Sequence, residues 1–247
     1  MTNFTLRLIQ FTAVIAIAIN STTALALDLD LANRTKSDIQ LDSSRKPAEI
    51  MNFVGVKHGD KVLDLLAGGG YYSELLSRVV GNEGEVVLQI PKAYLGFVGK
   101  ELEQRLANDR LKNVNYLLSE APDLQLQNNH FDSAFLVLGY HDMFFKDQGW
   151  DFPADVVMPQ VLASLKVGGK LLVVDHSAAS KRGAQDTKTL HRIEAKFVIN
   201  DLKKYGFTLV KQATFLENKN DTRNTSVFSP ELRRKTDRFV LLFERTK

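Results

Sequence analysis

The 247-residue sequence contains no cysteine. An oxidising compartment permits disulfides without demanding them, because a domain of this size can rely on its core. The absence does exclude a cysteine-linked lipid anchor, and it restricts any metal site to His, Asp and Glu. Charge of one sign is also missing: the formal net charge is only +3. The basic residues fall in short groups, Lys181-Arg182, Lys203-Lys204 and Arg233-Arg234-Lys235, with no interleaved aromatics. A nucleic-acid partner is therefore not expected. No apolar run reaches the roughly 20 residues that span a bilayer. No internal repeat and no break in composition marks a second domain.

What is present begins at the N-terminus. Arg7 is the sole charged side chain before Asp28, an apolar run covers Phe11–Ile19, and Ala24-Leu25-Ala26 gives a small-x-small site. Charged start, short apolar core and cleavage site form a secretory signal. Residues 1–26 are read as that signal. The mature protein is then expected outside the cytoplasm, periplasmic or secreted, with no membrane anchor after cleavage. Residues 27–46 are polar and are read as a linker or a loose first helix. Residues 47–247 are read as one domain.

Within that domain, runs of strand length alternate with helical patterns. Strands are expected at 61–66, 85–90, 114–118, 131–138, 170–175, 207–213 and 238–243. Helices are expected at 47–54, 71–80, 91–106, 153–165 and 188–205. This alternation predicts an α/β, doubly wound sheet with helices on both faces. The last two strands have only a polar link, 217–237, between them, so they are expected to be antiparallel.

The most informative segment runs from Val62 through Asp64 and Ala67-Gly68-Gly69-Gly70 into Tyr71. A buried strand enters a helix through three glycines. Such a turn lets backbone approach a ligand, and the helix start presents free N–H groups to the same crevice. The Asp64-x-x-x-Gly68-x-Gly70 pattern resembles the first motif of class I S-adenosylmethionine-dependent methyltransferases. Four further segments resemble a group of exported, predicted methyltransferases: Gly139-Tyr140-His141-Asp142, Val174-Asp175-His176-Ser177, Asp186-Thr187-x-x-Leu190-His191-Arg192 and Thr236-Asp237-Arg238-Phe239-Val240-Leu241.

The resemblance implies a Rossmann-like seven-stranded sheet, mostly parallel with the last strand antiparallel. It implies S-adenosylmethionine as cofactor but names no substrate; a small-molecule acceptor is expected. Asp64, Ala67, Gly68, Gly69 and Gly70 would hold the amino-acid part of the cofactor. Gln89 stands where the family usually places the acid that binds the ribose, and Glu120 stands near the expected adenine position. Leu66 replaces the first glycine of the usual turn.

His58 and His130 precede strands and are read as structural. His141, His176 and His191 should gather at the crevice with Tyr140, Asp142, Asp175, Asp186 and Arg192. Three roles are open for this cluster. It could shape a substrate pocket in which Tyr140, His141, Asp142 and His176 act in catalysis, one His as general base. It could hold a metal, although the spacing matches no compact zinc motif and no metal residue is assigned. It could be a hydrogen-bond network that closes loops, with Ser177–Gln185 as a flap. The functional readings are a methyltransferase, a non-catalytic ligand-binding protein on the same fold, and a metal-dependent hydrolase or lyase.

Overall fold

The computed structural model describes residues 34–247. The signal segment and the start of the expected linker lie outside the described residues. Seven strands form one sheet: β1 Lys61–Leu65, β2 Glu85–Ile90, β3 Val114–Leu118, β4 Phe131–Val137, β5 Leu165–His176, β6 Phe207–Ala213 and β7 Arg238–Arg245. Their order is β3-β2-β1-β4-β5-β7-β6. The first five pair in parallel, and β7 runs antiparallel to both β5 and β6. The order reverses beside β1, so the carboxyl ends of β1 and β4 border the crevice where open α/β sheets bind ligands.

The central strands read as continuous apolar runs because both faces are buried. Alternate residues serve opposite layers. Leu63, Ala134, Leu136, Leu171, Val173, Leu241 and Phe243 meet helices α5 (Ala154–Ser164) and α7 (Ala195–Tyr205). Val62, Phe135, Leu172, Val174, Val240 and Leu242 meet helices α2 (Pro47–Val54) and α3 (Tyr71–Val80). Leu88 and Ile90 are covered by Leu102 of helix α4 (Leu95–Leu106). A one-residue shift in any central strand would exchange its two sets of side chains.

Two departures from the sequence reading matter for the site. Residues 36–45, expected as linker or loose helix, form helix α1 (Lys36–Arg45), capped by the Thr35 hydroxyl on the Asp38 amide at 3.2 Å. The expected helix 188–205 is broken: α6 (Thr187–Leu190) ends at His191, whose φ is +53°, and α7 follows. His191 is thus set on a kink instead of at a helix start.

One buried side chain fixes the glycine turn against three helices. Arg105 of α4 donates to the Gly69 carbonyl, to Asp38 of α1 at 2.8 Å, to Glu74 of α3 and to Glu101 of α4 at 2.9 Å. Glu74 is further bound by Arg110 at 2.7 Å and Arg78 at 2.9 Å. Burial alone would raise the Glu74 carboxyl, but these arginines hold it down at about 2. A Cβ on Gly70 would lie 2.9 Å from Arg105 Cδ, so glycine there makes room for the guanidinium. Arg105→Met would leave Asp38 and Glu74 buried around a missing charge. Thermal unfolding should show a loss of about 3–5 kcal/mol. Lys146→Ala, which removes an exposed pair with Asp151, should cost no more than about 1 kcal/mol.

Candidate functional site

Two cavities open side by side at the carboxyl ends of the central strands. The first, the glycine cleft, holds about 340 Å³. Its lining includes Asp64, Ala67, Gly68 and Gly69 from the turn, Arg45 from α1, and Glu101 from α4. A Cβ on Gly68 would meet nothing within 4 Å, so the turn faces open space. Ala67 and Gly70 amides donate within the turn region, to the carbonyls of Gln89 and Ala67. Among the described residues, the Gly68 and Gly69 amides donate to no protein acceptor. They remain available to a ligand at the start of α3.

Asp64 is buried and accepts from the Ser73 hydroxyl at 2.6 Å. Burial raises its carboxyl to about 7, against an ordinary value of 3.8, and the bonds from Ser73 only partly offset this. Such a carboxyl gains from a cationic ligand group beside it. Arg45 stacks over the Tyr71 ring at 4.3 Å and brings a positive charge to the same cleft.

The other expected ligands of this cleft are placed differently. Gln89 is fully buried. Its Oε1 accepts from the Leu66 amide at 3.2 Å and its Nε2 donates to the Ser119 carbonyl at 2.9 Å. The amide thus clamps the turn to β3 and has nothing to offer a ribose. Gly70 makes room for Arg105 and does not line the cleft. Glu120 accepts from the Lys92 amide at 2.9 Å and is not part of the cleft lining. The second carboxylate in the cleft is instead Glu101. A Cβ on Gly69 would overlap the Glu101 carboxylate at 2.3 Å, so the glycine lets α4 bring that group in.

The second cavity, of about 700 Å³, is largely aromatic. Tyr94, Phe97, Phe145, Trp150 and Phe228 line it, with His141, Asp142, His176 and His191 as its polar side. Tyr94 and Trp150 stack at 5.5 Å between centroids, and the indole N–H donates to the Asp142 carbonyl at 2.7 Å. The sequence reading missed this lining, although the aromatic run from Phe144 to Phe152 after β4 carries a signal for it. Phe228 comes from the polar 217–237 link, where hydropathy gives no hint of a pocket residue.

Asp175, at the end of β5, organises the polar side. Its carboxylate accepts from the His141 amide at 2.8 Å, pairs with His141 Nδ1 at 2.8 Å, and accepts from the His176 amide at 2.7 Å. His141 Nε2 then lies 3.2 Å from His191 Nδ1 and 3.1 Å from Asp142 Oδ1. Burial would lower the His141 pKa, but Asp175 and the bonds from Asp142 and Asp175 raise it to about 10. Against the effect of burial, His141 and His191 hold the Asp142 carboxyl below its ordinary range. His176 is different. Burial first, then the positive neighbours His141 and Arg238, push it well below its ordinary value. Its Nδ1 is bonded to the Thr236 hydroxyl at 2.8 Å, which leaves Nε2 for the cavity.

Three of the four expected catalytic residues therefore share one cavity. The fourth, Tyr140, does not join them: it is fully buried and its hydroxyl donates to Asp201 of α7 at 2.8 Å. Arg192 and Asp186 are scaffolding. Arg192 donates to Thr225 and Ser177 carbonyls and to Asp221, at 2.9, 3.0 and 3.0 Å, which pins the 217–237 link beneath His191. Asp186 accepts the Leu190 amide on its carbonyl at 2.9 Å. The expected Ser177–Gln185 flap contributes no lining residue to the aromatic cavity. His130 pairs with Glu85 at 2.8 Å, remote from both cavities.

Residues 23–227 match the model of the ubiE/COQ5 methyltransferase family. A ubiquinone/menaquinone biosynthesis C-methyltransferase of Pseudomonas paraeruginosa is 32% identical over 158 residues, 62% of this chain and 58% of that protein. The chain thus spans less than two thirds of that relative's length. Among solved structures, an S-adenosylmethionine-dependent methyltransferase from Aquifex aeolicus aligns with a TM-score of 0.58 at 19% identity, over 85% of this chain and 97% of that one. Fibrillarin from Aeropyrum pernix, solved with natively bound S-adenosylmethionine, aligns with a TM-score of 0.53 at 15% identity, over 82% and 76%. The fold is that of these solved structures.

The Asp64 environment gives a signed prediction. In the folded chain this carboxyl keeps its proton up to about pH 7, whereas the unfolded chain loses it near 3.8. Between those values the native state binds more protons, so stability falls as pH rises. Asp64→Asn keeps an acceptor for Ser73 without the buried charge. Its melting temperature should exceed the parent's by a few degrees at about pH 8 and match it near pH 4. Equal differences at both pH values would count against this assignment.

Proposed function

Because the chain belongs to the ubiE/COQ5 methyltransferase family, whose cofactor is S-adenosylmethionine, we propose that it transfers a methyl group to a planar, largely apolar acceptor carrying a hydroxyl. One observation carries this reading: Tyr94 and Leu138 line both cavities, so a nucleoside-sized cleft and an aromatic pocket share a wall. The two volumes fall in the range of small-molecule sites.

The residues of the glycine cleft fit the cofactor. The free amides of Gly68 and Gly69, the Asp64 carboxyl and the Arg45 guanidinium suit its amino-acid end. Glu101 is the carboxylate available to the ribose hydroxyls, in place of Gln89. S-adenosylmethionine supplies a methyl on a positively charged sulfur, so alignment of the acceptor provides much of the catalysis. The stacked Tyr94 and Trp150 rings favour a flat acceptor. His176, neutral and with Nε2 toward the cavity, is placed to take the acceptor's hydroxyl proton. The relatives' printed role in ubiquinone and menaquinone biosynthesis agrees with a hydroxylated ring as acceptor and with carbon as the methylated atom.

A binding protein without turnover is the second reading, and the absence of an acid at the end of β2 favours it. Methyl transfer by the purified protein to any hydroxylated aromatic would exclude it. We further propose that the protein works outside the cytoplasm. Arg7, the Phe11–Ile19 run and Ala24-Leu25-Ala26 support export. No helix among the described residues is long and apolar enough to cross a membrane.

Titration calorimetry should detect S-adenosylmethionine binding at a single site. Glu101→Ala should weaken it by roughly tenfold or more, the usual loss for a hydrogen bond to a charged group. Absence of binding at about 1 mM ligand would overturn the cofactor assignment. Residues 1–30 fused to a reporter that matures only after export should yield active reporter, and the Ala24→Asp, Ala26→Asp double variant should block processing. An inactive fusion would overturn the export reading.

A further inference from the structure

The polar side of the aromatic cavity has the form of a metal site. His141 Nε2, Asp142 Oδ1 and His191 Nδ1 are 3.1, 3.2 and 3.6 Å apart in pairs. Neighbouring ligands of a metal ion bound at about 2.1 Å are themselves separated by about 3.0–3.4 Å, depending on octahedral or tetrahedral angles. Two of the three separations already match the edge of a coordination face, and the third, 3.6 Å, exceeds it slightly. A cation at normal bond lengths would sit just off their plane.

The surroundings orient the ligands. Asp175 holds His141 Nδ1 at 2.8 Å, which turns Nε2 toward the cluster. A carboxylate behind a histidine is the usual outer support of a metal-bound imidazole. His141 Nε2 also lies 3.1 Å from Asp142 Oδ1, to which it donates when protonated. A divalent cation would displace that proton and take both atoms as ligands.

Among the described residues, the His191 side chain has no polar partner beyond the cluster. It sits at φ +53°, with ring centroids of Phe145 at 5.9 Å and Phe228 at 4.7 Å. A non-glycine residue in that region costs roughly 1–3 kcal/mol and persists where the surroundings demand it.

We propose that His141, Asp142 and His191 bind one divalent first-row transition-metal ion, with Asp175 orienting His141. Two imidazoles and one carboxylate suit Zn²⁺, Fe²⁺, Mn²⁺ or Co²⁺ better than Mg²⁺ or Ca²⁺. Three protein ligands leave coordination positions open, and these face the aromatic cavity, as in metal sites that engage a substrate. On the methyl-transfer reading, those positions receive the acceptor's oxygen beside His176.

The test uses purified protein stripped with a chelator and titrated with Co²⁺, followed by optical absorption and calorimetry, then by Zn²⁺ competition. One equivalent should bind and produce visible d–d bands that Zn²⁺ abolishes. His191→Ala, a change at a partly exposed kink, should weaken binding at least roughly tenfold, while His58→Ala should not. The Asp175→Asn variant should weaken it as well and shift the Co²⁺ spectrum. No binding at roughly 0.1 mM free ion, or parental affinity in His191→Ala, would overturn the proposal. The titration contains neither cofactor nor acceptor, so its failure leaves the methyltransferase reading standing, and the reverse also holds.

Discussion

The buried guanidinium of Arg105 is the constraint on which the glycine cleft depends. It reaches α1, α3, α4 and the Gly69 carbonyl at once. A desolvated cation of this kind is tolerated only when every neighbour is placed to satisfy it. That demand transmits order. Helix α1 is drawn down over the cleft because Asp38 must meet Arg105, and Leu41 and Arg45 arrive with it as cleft walls. Asp42 adds a second tether, accepting from the Tyr71 hydroxyl at 2.6 Å and from Arg34 at 2.7 Å. The N-terminal helix therefore helps to build the glycine cleft, although its own sequence is polar and only weakly amphipathic.

A parallel logic governs the other cavity. Asp175 plays for the histidines the part that Arg105 plays for the glycine turn. Both are buried charges at the carboxyl end of the sheet, and both hold backbone as well as side chains. The two assemblies meet at Tyr94, whose ring lines both cavities and whose hydroxyl donates to Asp142 at 3.3 Å. Occupation of one compartment is thus one side chain away from the polar face of the other.

Much of this was legible in the sequence, for physical reasons. Strands with two buried faces leave uninterrupted apolar runs, and a helix start after three glycines leaves a local signature. Asp64, the glycine turn, His141, Asp142 and His176 all reach the crevice because strand ends in an alternating chain converge there. The misplacements have a common cause as well. Gln89, Tyr140 and Glu120 occupy the expected strand-end positions, but a strand end has two faces, and the sequence does not say which face a side chain takes. Helix α1 was read only as a linker or loose helix because it is held by ion pairs across 67 residues of sequence separation, Asp38 to Arg105, instead of by an apolar stripe. The partners of the histidine cluster are likewise distant in the chain: 50 residues separate His141 from His191.

Leu66 and Leu138 close β1 and β4 with φ values of +53° and +61°, conformations that glycine adopts far more easily. At Leu138 the amide is locked to the Val174 carbonyl at 2.7 Å, so the side chain stands as a rigid partition. It borders the glycine cleft, the aromatic cavity and a third recess formed with Arg45, His176 and Arg238. Glycine at this position would relax the backbone and erase the partition together. Backbone comfort and separation of the compartments therefore pull in opposite directions at a single residue, and a variant chosen for heat resistance at position 138 would merge the three chambers.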